Sequence, residues 1–107
     1  MSQLTVFPSK TVSENLVLPF SFLNVLAVGE QIGSVVVSVS VWSGTDASPE
    51  SLIGDPALFT ADTVQVNILG GISGVIYLIT CDVQCEYGAI FTHHIIEGKI
   101  AVIDGGF

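Results

Sequence analysis

Three observations predict an all-β chain. Valine and isoleucine recur in short runs separated by Gly, Pro, Asn and Asp. The segment from Val35 to Trp42 alternates with the two-residue period of a strand, placing Val35, Val37, Val39 and Val41 on one face. Turn signals return about every 8–12 residues, the spacing of a sandwich built from short strands. Together they predict one domain over residues 1–107, a single antiparallel β-sandwich of immunoglobulin-like type with seven to eight strands.

The elements follow in order. Leu4 to Phe7 makes a first strand, closed by Pro8. Asn15 to Phe22 alternates weakly and carries Pro19, which cannot donate to a ladder and so marks an edge strand or a bulge. Leu23 to Val28 has room for one helical turn. Gly29-Glu30-Gln31 turns the chain into the long strand Ile32 to Trp42, and a polar loop runs from Ser43 to Pro49. A short strand is expected at Ser51 to Ile53, then a turn at Gly54-Asp55-Pro56. Val64, Val66 and Ile68 alternate with Gln65, Asn67 and Leu69 as another half-buried strand. Gly70-Gly71-Ile72-Ser73-Gly74 reads as a hairpin connection into Val75 to Gln84, where Tyr77, Ile79, Cys81 and Val83 share a face. Glu86-Tyr87-Gly88 is a hairpin turn, and Ala89 to Ile103 is the last strand, with a break expected at Glu97-Gly98. The ends at 1–3 and 104–107 read as flexible.

Composition narrows the function. Apolar residues make up 50% of the chain and charged residues 11%, against a usual charged share of about a quarter. No apolar run reaches the roughly 18 residues of a membrane span; the longest candidate, Leu16 to Val28, is interrupted by Pro19, Ser21 and Asn24. Met1-Ser2-Gln3 lacks the basic start of a signal peptide. The surplus hydrophobicity, a mean hydropathy of +0.74, is therefore expected to meet another protein. Net charge is −8, with Lys10 and Lys99 the only Lys or Arg residues. Phosphate backbones and anionic headgroups are held by basic side chains, so neither nucleic acid nor a membrane surface is an expected partner.

Candidate chemistry is sparse. Cys81 and Cys85 sit on one strand with Cα atoms about 13 Å apart by strand rise, beyond the reach of a disulfide, so both are expected to be reduced. His93 and His94 point to opposite faces, so at most one can join the cysteines, and neither Cys-x-x-Cys nor His-x-x-x-His occurs. No metal site and no cofactor are expected. No serine lies in a Gly-x-Ser-x-Gly elbow, and Asp46 and Glu50 belong to a loop where solvated acids are ordinary. The glycines at 70, 71 and 74 join two strands without a following helix or Lys, unlike a phosphate loop. No catalytic residue is assigned.

Interaction residues are more visible. The second face of the valine strand carries Val36, Ser38, Ser40 and Trp42, where a solvent-facing strand would normally carry charge. Trp42 suits an interface as well as a place over the end of the core. Tyr77 is expected to anchor the core by its ring and a hydroxyl-to-backbone bond. Phe107 is either a loose end or a small anchor for a neighbour.

One pattern spans nearly the whole chain. Phe20-x-Phe22, Leu26-x-x-Gly29-Glu30-x-Ile32 and the alternating valine strand are followed by Gln65-Val66-x-Ile68-x-Gly70-Gly71-x-x-Gly74-x-x-Tyr77. From about Lys10 to Ile103 this resembles a family of small tailed-bacteriophage virion proteins, the fiber–tail adaptors, with an immunoglobulin-like fold. The resemblance implies a non-enzymatic structural protein of the tail, made in the host cytoplasm. Its expected partners are other virion proteins, a tail or adaptor protein and a fiber, with several copies in a symmetric assembly. The competing expectation is an immunoglobulin-like binding module of a surface adhesin or carbohydrate-binding protein, to which Trp42, Tyr77 and Tyr87 would contribute.

Overall fold

Alternating burial along a few long strands sets the architecture. A computed structural model of the chain describes residues 2–54 and 58–103. Strands β1 (Ser2–Val6), β2 (Lys10–Thr11), β3 (Leu16–Ser21) and β4 (Gln31–Ser43) are followed by a 3₁₀ helix at Pro49–Leu52. Then come β5 (Leu58–Phe59), β6 (Thr63–Ile68), β7 (Ile76–Tyr87) and β8 (Ile90–Ile103). Among the described residues there is no α-helix.

The strands form two sheets. One has the order β1-β8-β7-β4, with β2 also pairing β8; the other has the order β3-β6-β5. β7 runs antiparallel to its two neighbours, β4 and β8, but β1 and β2 run parallel to β8. The expectation of a purely antiparallel fold is corrected there. Side-chain alternation reports which face is buried, and it is the same for either strand direction.

The inner faces share one core. Leu18, Phe20, Val64, Val66 and Ile68 of the small sheet meet Tyr77, Ile79, Cys81, Val83, Ile96, Ile100 and Val102 of the large one, all buried. Each such aliphatic or aromatic side chain contributes about 1.5–3 kcal/mol when fully buried. Val35, Val37, Val39 and Val41 face this core but are only partly buried. β4 is an edge strand of 13 residues, and the opposing sheet has strands of at most 6. The long strands also make the molecule elongated, 52 × 20 × 20 Å.

Several local expectations change. Residues 2 and 3, read as loose, lie in β1, in register with Ile95 and Ile96. Ser51–Ile53, expected as a strand, falls largely in the 3₁₀ helix: Pro49 opens it, and the Ser51 hydroxyl donates to Ser48 O at 2.9 Å. The Gly70–Gly74 segment is a crossover between sheets, since β6 and β7 belong to different ones. Gly74 N donates to Val102 O, and a Cβ on Gly71 would sit 2.7 Å from Val102. Gly71 also has φ +94°, so this close approach needs glycine twice over. β8 is unbroken at Glu97-Gly98; Gly98 leaves room there for the rings of Phe7 and Phe20.

Other expectations hold. β3 is an edge strand with Pro19 opposite Gln65. One turn closes after Phe22, whose carbonyl accepts from Val25 N and Leu26 N. The β7–β8 hairpin has Tyr87 opposite Ile90, with Gly88 at φ +61° in the two-residue loop. The turn expected at residues 54–56 and the chain end after Ile103 lie largely outside the described residues.

Candidate functional site

The strand singled out by its alternation lies at an open position. Among the described residues β4 pairs with β7 alone, so one long edge has no strand beside it. No charged residue occurs from Gln31 to Ser43. Natural edge strands are usually protected by charge, proline or covering segments. Here register shifts lie at Ile32/Ser34 and Val41/Ser43, Ile32 N donates to Ala61 O, and the 3₁₀ helix packs against the strand.

The outer face of the large sheet can be read row by row. Val36, Asp82 and Ile95 stand in one row; Ser38, Thr80, Glu97 and Leu4 in the next; Ser40, Leu78, Lys99 and Val6 in the third. Val36 is 68% exposed, and Leu4 and Val6 are also exposed. Trp42 is 51% exposed, outside the core, with Lys99 Nζ 4.3 Å from its ring centroid. This cation–π contact holds the ring against the sheet. The uncharged strip is therefore β4 itself, while β7 and β8 interleave Asp82, Glu97 and Lys99. Val36, Ser38, Ser40 and Trp42 are brought together on this face as their spacing implies. Phe107 lies outside the described residues.

A second apolar surface was not visible in the sequence. At the far end of the molecule the hairpin exposes Tyr87, Ile90 and Phe91. Ile90 and Phe91 read as ordinary strand residues; the signal was their position directly after a glycine turn, where a strand outruns the sheet opposite it.

Two polar networks hold the connections. The Tyr77 hydroxyl donates to Asp46 Oδ2 at 2.6 Å and accepts from Ile72 N at 3.0 Å, tying the crossover and the β4–3₁₀ loop to the core. Burial, and then the bond to Asp46, push its ionisation above the usual tyrosine range. Lys10 is wholly buried, its Nζ donating to Thr11 O and to Gly70 O. Burial lowers its pKa, and the charge of nearby Glu14 opposes that.

Glu30 forms a third. Its carboxylate, buried beneath the Ala27–Glu30 turn, accepts from the Thr92 hydroxyl, from Ala27 N at 2.8 Å and from His94 Nε2 at 2.9 Å. The Thr92 and Ala27 bonds, with a smaller part from His94, hold it down at about 2. Cys81 and Cys85 are free and buried on the inner face of β7. His93 is exposed, 3.2 Å from Asp82. Ser73 is exposed in the crossover, and Glu50 is exposed in the 3₁₀ helix.

Comparison with known proteins gives one match. No curated protein and no solved structure matches the chain. A family model described as podophage GP4 fiber-tail adaptor protein gp77 matches residues 10–96, which include β2 to β7, the Glu30 turn, the Gly70–Tyr77 crossover and the uncharged strand. The chain belongs to this phage fiber-tail adaptor family.

Proposed function

We propose that this protein is a non-enzymatic virion structural protein that attaches a fiber or a neighbouring tail protein to the tail, using β4 and the outer face around Val36, Ser38, Ser40 and Trp42. The observation that carries the reading is the long uncharged edge of β4, with Val36 and Trp42 exposed beside it. An extended segment of a partner can add to such an edge through backbone hydrogen bonds, while Trp42 supplies a large anchor. Repeated copies in a symmetric tail would multiply a weak contact by avidity. The fold is best understood as an immunoglobulin-like sandwich: two sheets close on one core, and Tyr77 bonds backward to Ile72 N as a tyrosine corner does.

The alternative, a glycan-binding or adhesin module, has less support. Tyr77 is buried and Trp42 lies beside the start of β7, with Tyr87 at its end. By strand rise the two exposed rings are about 35 Å apart, too far for one sugar platform. The test is attachment of purified fiber to tails reconstituted with the wild-type chain or with Trp42→Ala. The variant is expected to lose at least about tenfold in attachment affinity, the effect of a modest hot spot. Attachment at wild-type affinity would remove Trp42 and its face from the reading.

A further inference from the structure

We infer that Glu30, Cys85 and His94 form a binding site for a zinc-class divalent cation, between the Ala27–Glu30 turn and the inner face of the β7–β8 hairpin. One oxygen, one sulfur and one nitrogen from these residues all lie within 4.8 Å of one another. Zinc takes this mixture of thiolate, imidazole and carboxylate at about 2.0–2.3 Å with four-coordinate geometry. Ligand atoms around such an ion are roughly 3.5 Å apart. The widest pair must therefore close by at most about 1.3 Å, within reach of side-chain rotation.

The three residues come from different parts of the chain. β-pairing sets Val83 opposite His94 and Cys85 opposite Thr92, so Cys85 and His94 are diagonal neighbours on one face. Glu30 arrives from the turn before β4 and bonds both Thr92 and His94. Glu30 and Cys85 are buried, and the His94 side chain is 22% exposed. A hollow lined by Leu23, Leu26, Ala27, Glu30 and Asp62 opens beside the carboxylate and offers a path from solvent.

Charge favours a cation here. A buried carboxylate normally has a cationic partner; His94 stands 2.9 Å from Glu30, and neither of the two lysines serves. Lys10 is held by Thr11 O and Gly70 O, and Lys99 lies over Trp42. On binding, Cys85 releases its Sγ proton to solvent, and His94 coordinates through Nε2 as the neutral imidazole with its ring proton on Nδ1. A divalent ion then balances one thiolate and one carboxylate, leaving a neutral buried site. Thr92 Oγ1 or a water takes the fourth position. The thiolate selects this class of metal over Mg²⁺ or Ca²⁺. The bound ion would staple the turn to the hairpin whose tip exposes Tyr87, Ile90 and Phe91.

The test is a Co²⁺ titration of the full chain, reduced and stripped of metal. One equivalent is expected to give a near-ultraviolet sulfur-to-cobalt band with the visible bands of a four-coordinate ion, both abolished by zinc. Zinc alone is expected to raise the thermal midpoint. Cys85→Ser should lose the sulfur band while Cys81→Ser keeps it. Glu30→Gln and His94→Gln should each weaken binding by more than about tenfold. If Cys85→Ser fails to fold, His94→Gln, at the most exposed of the three positions, decides by the same affinity reading. Absence of the sulfur band at excess Co²⁺, or its survival in folded Cys85→Ser, would leave the trio as a hydrogen-bonded turn anchor and overturn the inference.

Discussion

Gly98→Ala adds a single methyl group where the rings of Phe7 and Phe20 lie against β8. A Cβ there would stand 2.7 Å and 2.8 Å from two ring carbons of Phe20, and closer still to the ring of Phe7. Those rings already pack edge to face at 5.2 Å. Phe20 is buried in the core and cannot retreat, whereas Phe7 is partly exposed and can swing outward. The methyl group therefore either displaces Phe7 or forces β8 away from β3. Overpacking of this kind costs about 1–3 kcal/mol. Replacing a strand glycine returns about 0.5–1 kcal/mol of backbone entropy, so at the middle of both ranges the net loss is about 1.25 kcal/mol. For a domain near this size that lowers the thermal midpoint by about 5–10 °C.

The assay is thermal unfolding followed by circular dichroism, with Gly33→Ala as the control. Gly33 is also in a strand, but a Cβ there meets Gln84 O at 3.4 Å, an ordinary contact, so the control should be near neutral. The double variant Gly98→Ala with Phe7→Leu should lose less than the sum of the two single changes, because the smaller side chain vacates the contested space. A Gly98→Ala midpoint equal to that of Gly33→Ala, with additive double-variant losses, would refute the reasoning.

Three further outcomes follow from the same contacts. Tyr77→Phe keeps the ring but leaves Ile72 N and Asp46 without their partner, and should cost about 1–3 kcal/mol by chemical denaturation. Val36→Lys, on an exposed outer position, should leave stability within about 0.5 kcal/mol while reducing fiber attachment, because it places a protecting charge beside the open edge. The third is alkaline. Burial pushes the Cys81 thiol up to about 12 from an ordinary value of 9.0. Between these values the unfolded chain holds fewer protons than the folded one, so stability is intact below pH 9 and falls as pH rises toward 12. The full effect is about 4 kcal/mol at 1.36 kcal/mol per unit. Cys81→Ala should remove that part of the slope in denaturant titrations at rising pH, whatever its stability at pH 7.

What the sequence disclosed is what period-two alternation encodes. β4, β6, β7 and β8 were legible because Val, Ile and Tyr recur at every second position, and that pattern also assigned Val36, Ser38, Ser40 and Trp42 to one face. Strand direction was not legible, since side chains alternate between the two faces whether a strand runs parallel or antiparallel to its neighbour. The crossover at Gly70–Gly74 was mistaken for a hairpin because glycine signals a reversed backbone without saying which sheet the chain enters next. The 3₁₀ helix was hidden by apolar Leu52 and Ile53, although Pro49 was its available sign. The Glu30 cluster depends on contacts between the turn before β4 and the last hairpin, and no local pattern links residues so far apart. Gly29-Glu30 is legible as a turn motif, but no local pattern marks its carboxylate as buried.

The placement of the two lysines constrains how the proposed docking can work. The ten acidic residues outnumber Lys10 and Lys99, and neither lysine is a free surface cation: one is buried and the other is spent on Trp42. Copies of the chain therefore repel each other at long range, while a basic partner is attracted. Salt screens both effects, with a Debye length near 10 Å at 0.1 M. If β4 edges join copy to copy, raising salt should strengthen self-association measured by light scattering across a concentration series. If the edge receives a basic segment of a fiber or tail protein, raising salt should weaken that attachment and slow its on-rate. Self-association that weakens with salt would contradict the charge argument directly, because no exposed lysine is left to form the favourable pairs it would require.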